Sequence, residues 1–306
     1  MGPTACGKSD AAIALAKKFP LEIISVDSTM VYRGLNIGSA KPSAAILSTI
    51  PHHLIDIRDP KQPYSAADFC QDATETIDKI RRQGQMPLLV GGTMLYFKAL
   101  QQGLSALPPA NPQVRQAIVE EAEKAGWPAL HDKLTVIDPK SAQRIHQNDC
   151  KRLQRALEVY EITGETLSSL QHQQKKPSED YIFVNIALIP DNRAVLRQKI
   201  AQRFDHMLDN GFIDEARALY QRGDLNTDLP AIRSVGYRQL WYYFKGTLTF
   251  DEMREQAIIA SCQLAKRQLT WLRSWENLHI FNSQDENLVE KLCHFLHTQT
   301  KNYGGA

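Results

Sequence analysis

Residues 2–9, Gly2-Pro3-Thr4-Ala5-Cys6-Gly7-Lys8-Ser9, carry both glycines, the lysine and the hydroxyl of the phosphate-loop pattern G-x-x-x-x-G-K-S/T. Such a loop turns successive backbone N–H groups toward an anion, adds a cation at Lys8 and offers the Ser9 hydroxyl to Mg2+. A helical pattern over residues 10–18 follows, and its N-terminal dipole points at the same anion. The chemistry expected here is recognition of a di- or triphosphate, as in nucleotide- and ATP-binding proteins.

Further chemistry-bearing residues stand where strands are expected to end. The apolar run at residues 21–27 closes on Asp27-Ser28, and residues 86–90 run into Gly91-Gly92-Thr93. In an open α/β sheet the carboxyl edge of the strands is where ligands bind, so Asp27 and Thr93 fall beside the phosphate loop. Asp27 reads as the carboxylate on the magnesium side of a nucleotide hydrolase or kinase, as a general base, or as a cap on the next helix; spacing alone leaves all three open. In the C-terminal third, basic and aromatic residues interleave: Ile232-Arg233-Ser234-Val235-Gly236-Tyr237, then Lys266-Arg267-Gln268-Leu269-Thr270-Trp271-Leu272-Arg273. Arginines on phosphates with aromatic faces on unpaired bases is the combination single-stranded RNA recognition uses. The same residues fit amphipathic helices with a solvated basic face equally well.

The elements that must position these groups alternate. Strands are expected at residues 21–27, 53–57 and 86–90, with a helix over residues 64–83 between the last two, and this pattern argues for a doubly wound sheet. One problem is visible at once: a phosphate loop normally leaves the end of a central strand, and here it starts at Gly2. Either these residues are a fragment of a longer chain, or the true start lies upstream of an internal Met1, or the sheet closes without its usual centre; the first two are favoured, because an empty central slot would expose an unpaired edge on each neighbour. From Leu107 the prolines Pro108, Pro109 and Pro112 punctuate short helical patterns without a strand, which reads as a helical insertion. A helix over residues 149–161 puts Leu153, Ala156, Leu157 and Tyr160 on one face and Lys151, Arg152 and Arg155 on the other. Residues 171–179 read as a polar loop, residues 181–189 as the last clear strand, and the remainder as helix. The fold class is therefore α/β, a P-loop-type doubly wound parallel sheet with a helical insertion domain and a helical C-terminal region. The expected division is 1–106, 107–147 and 148–306.

With 36 basic against 34 acidic residues in a chain of 306, any nucleic-acid contact must come from local patches rather than a global field. The five cysteines are scattered without a C-x-x-C pair, which suits a reduced cytoplasmic setting. No apolar run reaches membrane-spanning length, so no membrane partner is expected. His52 and His53 point to opposite faces of a strand, and His131, His146 and His206 lack partners at ligand spacing, so no histidine metal site is expected.

Taken together, residues 2–9, the Asp27-Ser28-Thr29-Met30-Val31-Tyr32 and Ile37-Gly38-Ser39-Ala40-Lys41-Pro42 stretches, Gly91 to Tyr96, Arg152 to Glu158 and the two C-terminal stretches closely resemble bacterial tRNA dimethylallyltransferases. The resemblance runs from Gly2 to about Trp275. It implies transfer of a dimethylallyl group from dimethylallyl diphosphate to the exocyclic amine of the adenosine just 3′ of the anticodon in tRNA, without consumption of ATP. It also implies that residues 2–9 cradle the diphosphate with Mg2+ near Ser9, that Asp27 takes the proton of the attacking amine, and that Lys8 stabilises the leaving group. Thr93 then contacts the target nucleotide. By the same resemblance Asp27, Ser28, Thr29, Met30 and Ile232, Arg233, Ser234, Val235, Gly236, Tyr237 read the flipped base. Arg115, Lys151, Arg152, Leu153, Gln154, Arg155 and Lys266, Arg267, Gln268, Leu269, Thr270, Trp271, Leu272, Arg273 lie on the surrounding RNA. Cys6 stands where serine is commoner, Met30 where glutamine is frequent and Ser39 for threonine; none removes a chemical role. The absence of a zinc-finger extension implies a bacterial type. A monomer is expected. The rival readings are a small-molecule or nucleotide kinase, which shares the loop and the sheet, and a nucleotide-regulated RNA-binding protein without chemistry.

Overall fold

β1 (Leu21–Val26) is a run of apolar and β-branched residues buried over nearly its whole length, as a strand covered on both faces must be. In the computed structural model it pairs in parallel with β2 (His52–His53) on one side and β3 (Met86–Gly91) on the other. A second parallel pair joins β4 (Asn185–Ile189) to β5 (Leu278–Asn282). The structure describes residues 1–105, 107–172 and 181–303. The chain divides into one unit of Met1–Ala99 with Ile182–Ala306 and another of Leu100–Tyr181.

In the first unit α1 (Lys8–Ala16), α2 (Ala44–Thr49), α3 (Ala66–Arg82) and the start of α4 (Met94–Gln102) alternate with the first three strands. α3 begins at a reciprocal cap between Ser65 and Asp68 and buries Phe69, Ala73, Ile77 and Ile80, a stripe at helical spacing. After β4 come α10 (Arg193–Asp209), α11 (Phe212–Gln221), α12 (Tyr237–Phe244), α13 (Phe250–Arg273) and, beyond β5, α14 (Leu288–Tyr303). Among the described residues the elements of the second unit are helices: α5 (Pro112–Ala125), α6 (Trp127–Ile137), α7 (Pro139–Arg144), α8 (Cys150–Thr163) and α9 (Leu167–His172), after the end of α4.

The parallel α/β class and the elements around the loop agree with the sequence reading, and four points are corrected. The strand expected at residues 53–57 shrinks to two residues, because Leu54 and Asp56 adopt left-handed backbone that cannot continue a ladder. A strand was not expected after residue 189, yet β5 pairs along the whole of β4. α8 belongs with the helical unit and not with the core, since Leu153, Ala156 and Leu157 pack with Ile118, Leu130 and Leu134 of α5 and α6. Gln171 and His172 belong to α9, while residues 173–180, which include the rest of the loop expected at 171–179, and Ala106, at the expected first boundary, lie outside the described residues.

The expected gap in the sheet has a definite form. Met1 adds a single residue of parallel pairing to β4, its amino group donating to the Ile186 carbonyl and its carbonyl accepting from the Leu188 amide. No strand among the described residues joins β3 to β4. What unites the two sheets is a shared core: Ala11 and Leu15 of α1, Leu21 and Ile23 of β1, Leu188 of β4, and Leu292 and Leu296 of α14. Burying one such leucine contributes about 1.5–3 kcal/mol, more than the ~1 kcal/mol net of one backbone hydrogen bond. Packing, not the ladder, carries the connection.

Candidate functional site

The phosphate loop leaves Met1 and turns sharply. Ala5 and Gly7 both hold left-handed backbone, φ 61° and 82°, the second a conformation that glycine adopts without cost. Gly7 is the N-cap of α1 and supplies no side-chain cap, so the first amides of the helix stay open. The amides of Ala5, Cys6 and Gly7 have no hydrogen-bond partner among the described residues. A row of unpaired N–H groups ahead of a helix N-terminus is an anion cradle. Gly2, Pro3 and Cys6 are buried and anchor the loop, while Ser9 presents its hydroxyl to solvent.

Lys8 folds back so that Nζ donates to the Pro3 carbonyl at 2.6 Å. Desolvation draws this ammonium below the usual lysine range; Cys6 and Asp27 oppose that shift and Arg203 reinforces it. Arg203, on α10, is likewise pulled down by burial, with Asp27, Cys6 and Asp10 opposing. Its guanidinium has no hydrogen-bond partner among the described residues. Two desolvated cations thus sit by the loop amides.

Asp27 follows β1 directly. Its Oδ1 accepts from the amides of Thr29 and Met30 at 2.8 and 3.2 Å, which fixes the carboxylate, and Oδ2 has no hydrogen-bond partner among the described residues. The end of β3 lies alongside: the Ser28 amide donates to Thr93 Oγ1 at 3.1 Å. The Thr29 and Ser234 hydroxyls meet at 3.1 Å, which brings the 232–237 segment to the same place. Thr4, Ala5, Asp27, Thr29, Arg203 and Val235 line one pocket of about 110 Å³, whose remaining wall includes Ile200, Phe204, Met207, Phe212 and Leu264.

Several residues expected on RNA have other places. Leu153, Ile232 and Tyr237 are fully buried and Leu272 nearly so; these side chains are core, because each falls on the apolar stripe of its helix or segment. Gln268 is corrected as well. It lies on the buried face of α13, accepts from the Thr4 amide at 2.8 Å and donates to the Gly92 carbonyl at 2.9 Å, tying the loop to the end of β3. Leu269 packs against Ile200 and Ala265. Arg233, Lys266, Arg267, Thr270, Trp271 and Arg273 are exposed, with the Lys98 ammonium 5.7 Å from the Trp271 ring centre.

In the helical unit Lys151 and Arg152 are exposed. Arg115 and Arg155 instead grip the buried Glu158 carboxylate at 2.9 and 2.6 Å, and Gln154 donates to the Arg115 carbonyl at 3.1 Å. Sequence reasoning missed Arg203, a partly buried cation beside the stripe Leu196, Ile200, Phe204, Met207 of α10. A cation at a core-facing helical position was the available signal.

A parallel α/β fold in which phosphate-loop residues, the desolvated Arg203 and a strand-end carboxylate line one pocket, with Lys8 held on the loop at Pro3, defines a phosphate-loop enzyme built to act on a phosphorylated donor. Residues 30–275 match the IPP transferase family. The chain is 55% identical over 296 residues to the tRNA dimethylallyltransferase of Coxiella burnetii strain CbuG_Q212, covering 97% of this chain and 98% of the relative. Among solved structures it resembles the full-length tRNA isopentenylpyrophosphate transferase of Bacillus halodurans, with TM-score 0.72, 37% identity and coverage of 98% and 95% of the two chains. A eukaryotic dimethylallyltransferase acting on tRNA superposes with TM-score 0.81 at 25% identity, covering 98% of this chain and 78% of that one. The chain belongs to the IPP transferase family, the tRNA dimethylallyltransferases.

Proposed function

We propose that this enzyme transfers the dimethylallyl group of dimethylallyl diphosphate to the exocyclic amine of the adenosine immediately 3′ of the anticodon in tRNA, through the pocket between the phosphate loop and Asp27. One observation carries the assignment of the site: unpaired loop amides and the desolvated Lys8 and Arg203 lie beside a carboxylate oxygen with no hydrogen-bond partner among the described residues. The amine nitrogen bonds to the allylic carbon as the carbon–oxygen bond breaks. That electron pair leaves on the diphosphate, and the displaced amine proton passes to Asp27 Oδ2. Charge that grows on the leaving group is met by groups already oriented toward it, which stabilises the transition state over the ground state.

The donor set fits Mg2+, which takes one or two protein oxygens and fills its shell with phosphate oxygens and water. Ser9 offers such an oxygen, with no hydrogen-bond partner among the described residues, so the ion would arrive with the diphosphate. Bound magnesium would add positive charge to the leaving group. The reading also includes a cytoplasmic enzyme that works as a monomer. Among the described residues no helix is long and apolar enough to cross a membrane.

The test uses donor labelled in the prenyl carbons, in parallel with ATP labelled in its terminal phosphate, each incubated with tRNA. Prenyl label in the tRNA adenosine supports the reading; label moved from ATP instead overturns it in favour of a kinase. Asp27→Asn should lower single-turnover transfer by roughly 10²–10⁴ with tRNA binding retained. Near-normal transfer by that variant would leave Asp27 as a cap for Thr29 and Met30 only.

A further inference from the structure

The pocket is chemically divided, and its apolar wall is graded in exposure. Met207 is 9% exposed, Ile200 and Phe204 4%, and Phe212 0%, so Phe212 is the most enclosed of these four wall residues. Its ring stands edge-on to Phe204 at 6.1 Å and to Tyr237 at 4.9 Å between centroids. Two glycines lie against it: a Cβ on Gly38 would overlap the ring, and one on Gly236 would stand 2.9 Å from Phe212 Cε1. Close packing of this kind leaves no room for the ring to swing aside.

The backbone around Phe212 is itself tied down. Glu215, one turn further along α11, accepts from the amides of Asn36, Ile37 and Gly38 at 2.9, 2.7 and 3.1 Å and from the Tyr237 hydroxyl at 2.6 Å. The segment that backs the ring therefore cannot follow it inward or outward.

We propose that Phe212 is the length gauge for the prenyl chain, confining the donor to a single five-carbon unit. The inference rests on the donor assignment made above. A cavity of roughly 150 Å³ takes a six-carbon ring, so a pocket of about 110 Å³ holds one isoprene unit and not two. A geranyl chain pointing the same way would meet the Phe212 ring. Truncating that ring frees slightly more carbon than a second isoprene unit needs, and the Glu215 anchor keeps the space from collapsing, since fixed surroundings relax only partly around a deleted side chain.

Transfer to tRNA is measured with dimethylallyl diphosphate and with geranyl diphosphate for the unaltered enzyme, Phe212→Leu and Phe212→Ala, alongside inhibition by inorganic pyrophosphate. The unaltered enzyme should strongly prefer the shorter donor. The geranyl to dimethylallyl ratio of kcat/KM should rise by about tenfold or more in Phe212→Leu and further in Phe212→Ala, given that one methylene in an apolar pocket is worth roughly 10–200-fold. Pyrophosphate inhibition should stay put, because it reads only the polar end. Where Phe212→Ala does not fold, Phe212→Leu decides. An unaltered enzyme that uses both donors equally, or a folded Phe212→Leu that keeps the original ratio, overturns the gauge while leaving dimethylallyl transfer intact. Failure of the unaltered enzyme to transfer either group overturns the functional reading itself.

Discussion

At the scale of single residues, Arg203 ties function to a local cost. A desolvated guanidinium with no hydrogen-bond partner among the described residues is unfavourable until an anion arrives, and breaking with that state should not harm folding. Arg203→Gln should therefore lower kcat/KM for the donor by roughly 10²–10³ while the urea midpoint stays level or rises; a matching loss of stability would make Arg203 a structural residue. Lys8 makes a second, thermodynamic prediction. Burial lowers its pKa in the free protein, with Cys6 and Asp27 opposing and Arg203 reinforcing, and a bound diphosphate favours the charged form. Donor binding should then take up protons at pH values below the ordinary lysine range, and affinity should fall as pH rises. Calorimetry in two buffers of different ionisation enthalpy measures the uptake directly, and equal apparent enthalpies would refute it.

At the scale of elements, α8 shows how a charge can be structural while it looks like a ligand contact. Burial alone would raise the Glu158 pKa, but hydrogen bonds from Arg115 and Arg155 and from the Asn111 amide hold it below the usual carboxylate range. Its stabilising contribution is complete above the unfolded value of about 4.3 and is lost as pH falls through the lower folded value. Glu158→Gln should cost about 3 kcal/mol near neutral pH, toward the low end because Arg115 and Arg155 keep 42% and 28% of their side chains exposed. Urea unfolding at neutral and acid pH checks both the size and the sign, since the difference between variant and parent should shrink in acid. The same helix shows what sequence makes legible. The phosphate loop, β1, α3 and β3 can be read because glycines, β-branched runs and a capping pair act locally. β5 could not, because Leu278–Asn282 is a short, partly exposed run without alternation and needs β4, almost a hundred residues away, to become a strand. Arg203 also escaped, and the tie that Gln268 makes between Thr4 and Gly92 could not be read, since each residue is polar on a helix face that only tertiary packing turns inward.

At the scale of the molecule, a formal net charge of +2 gives no general attraction to nucleic acid, so tRNA affinity has to come from exposed basic residues such as Lys266, Arg267 and Arg273 on α13. Replacing each by glutamine should weaken tRNA binding and lower the slope of log affinity against log salt by about 0.7–0.9 per lost phosphate contact, leaving donor affinity unchanged. An unaltered slope would make that face merely solvated. The divided sheet has a consequence in time. Because no described strand bridges β3 and β4, opening of one hydrogen-bonded ladder need not break the other, and the side chains around Leu21, Leu188 and Leu292 couple them. Native-state hydrogen exchange should resolve two populations: β1, flanked on both sides, protected longest, and β4 with β5 exchanging earlier as a pair.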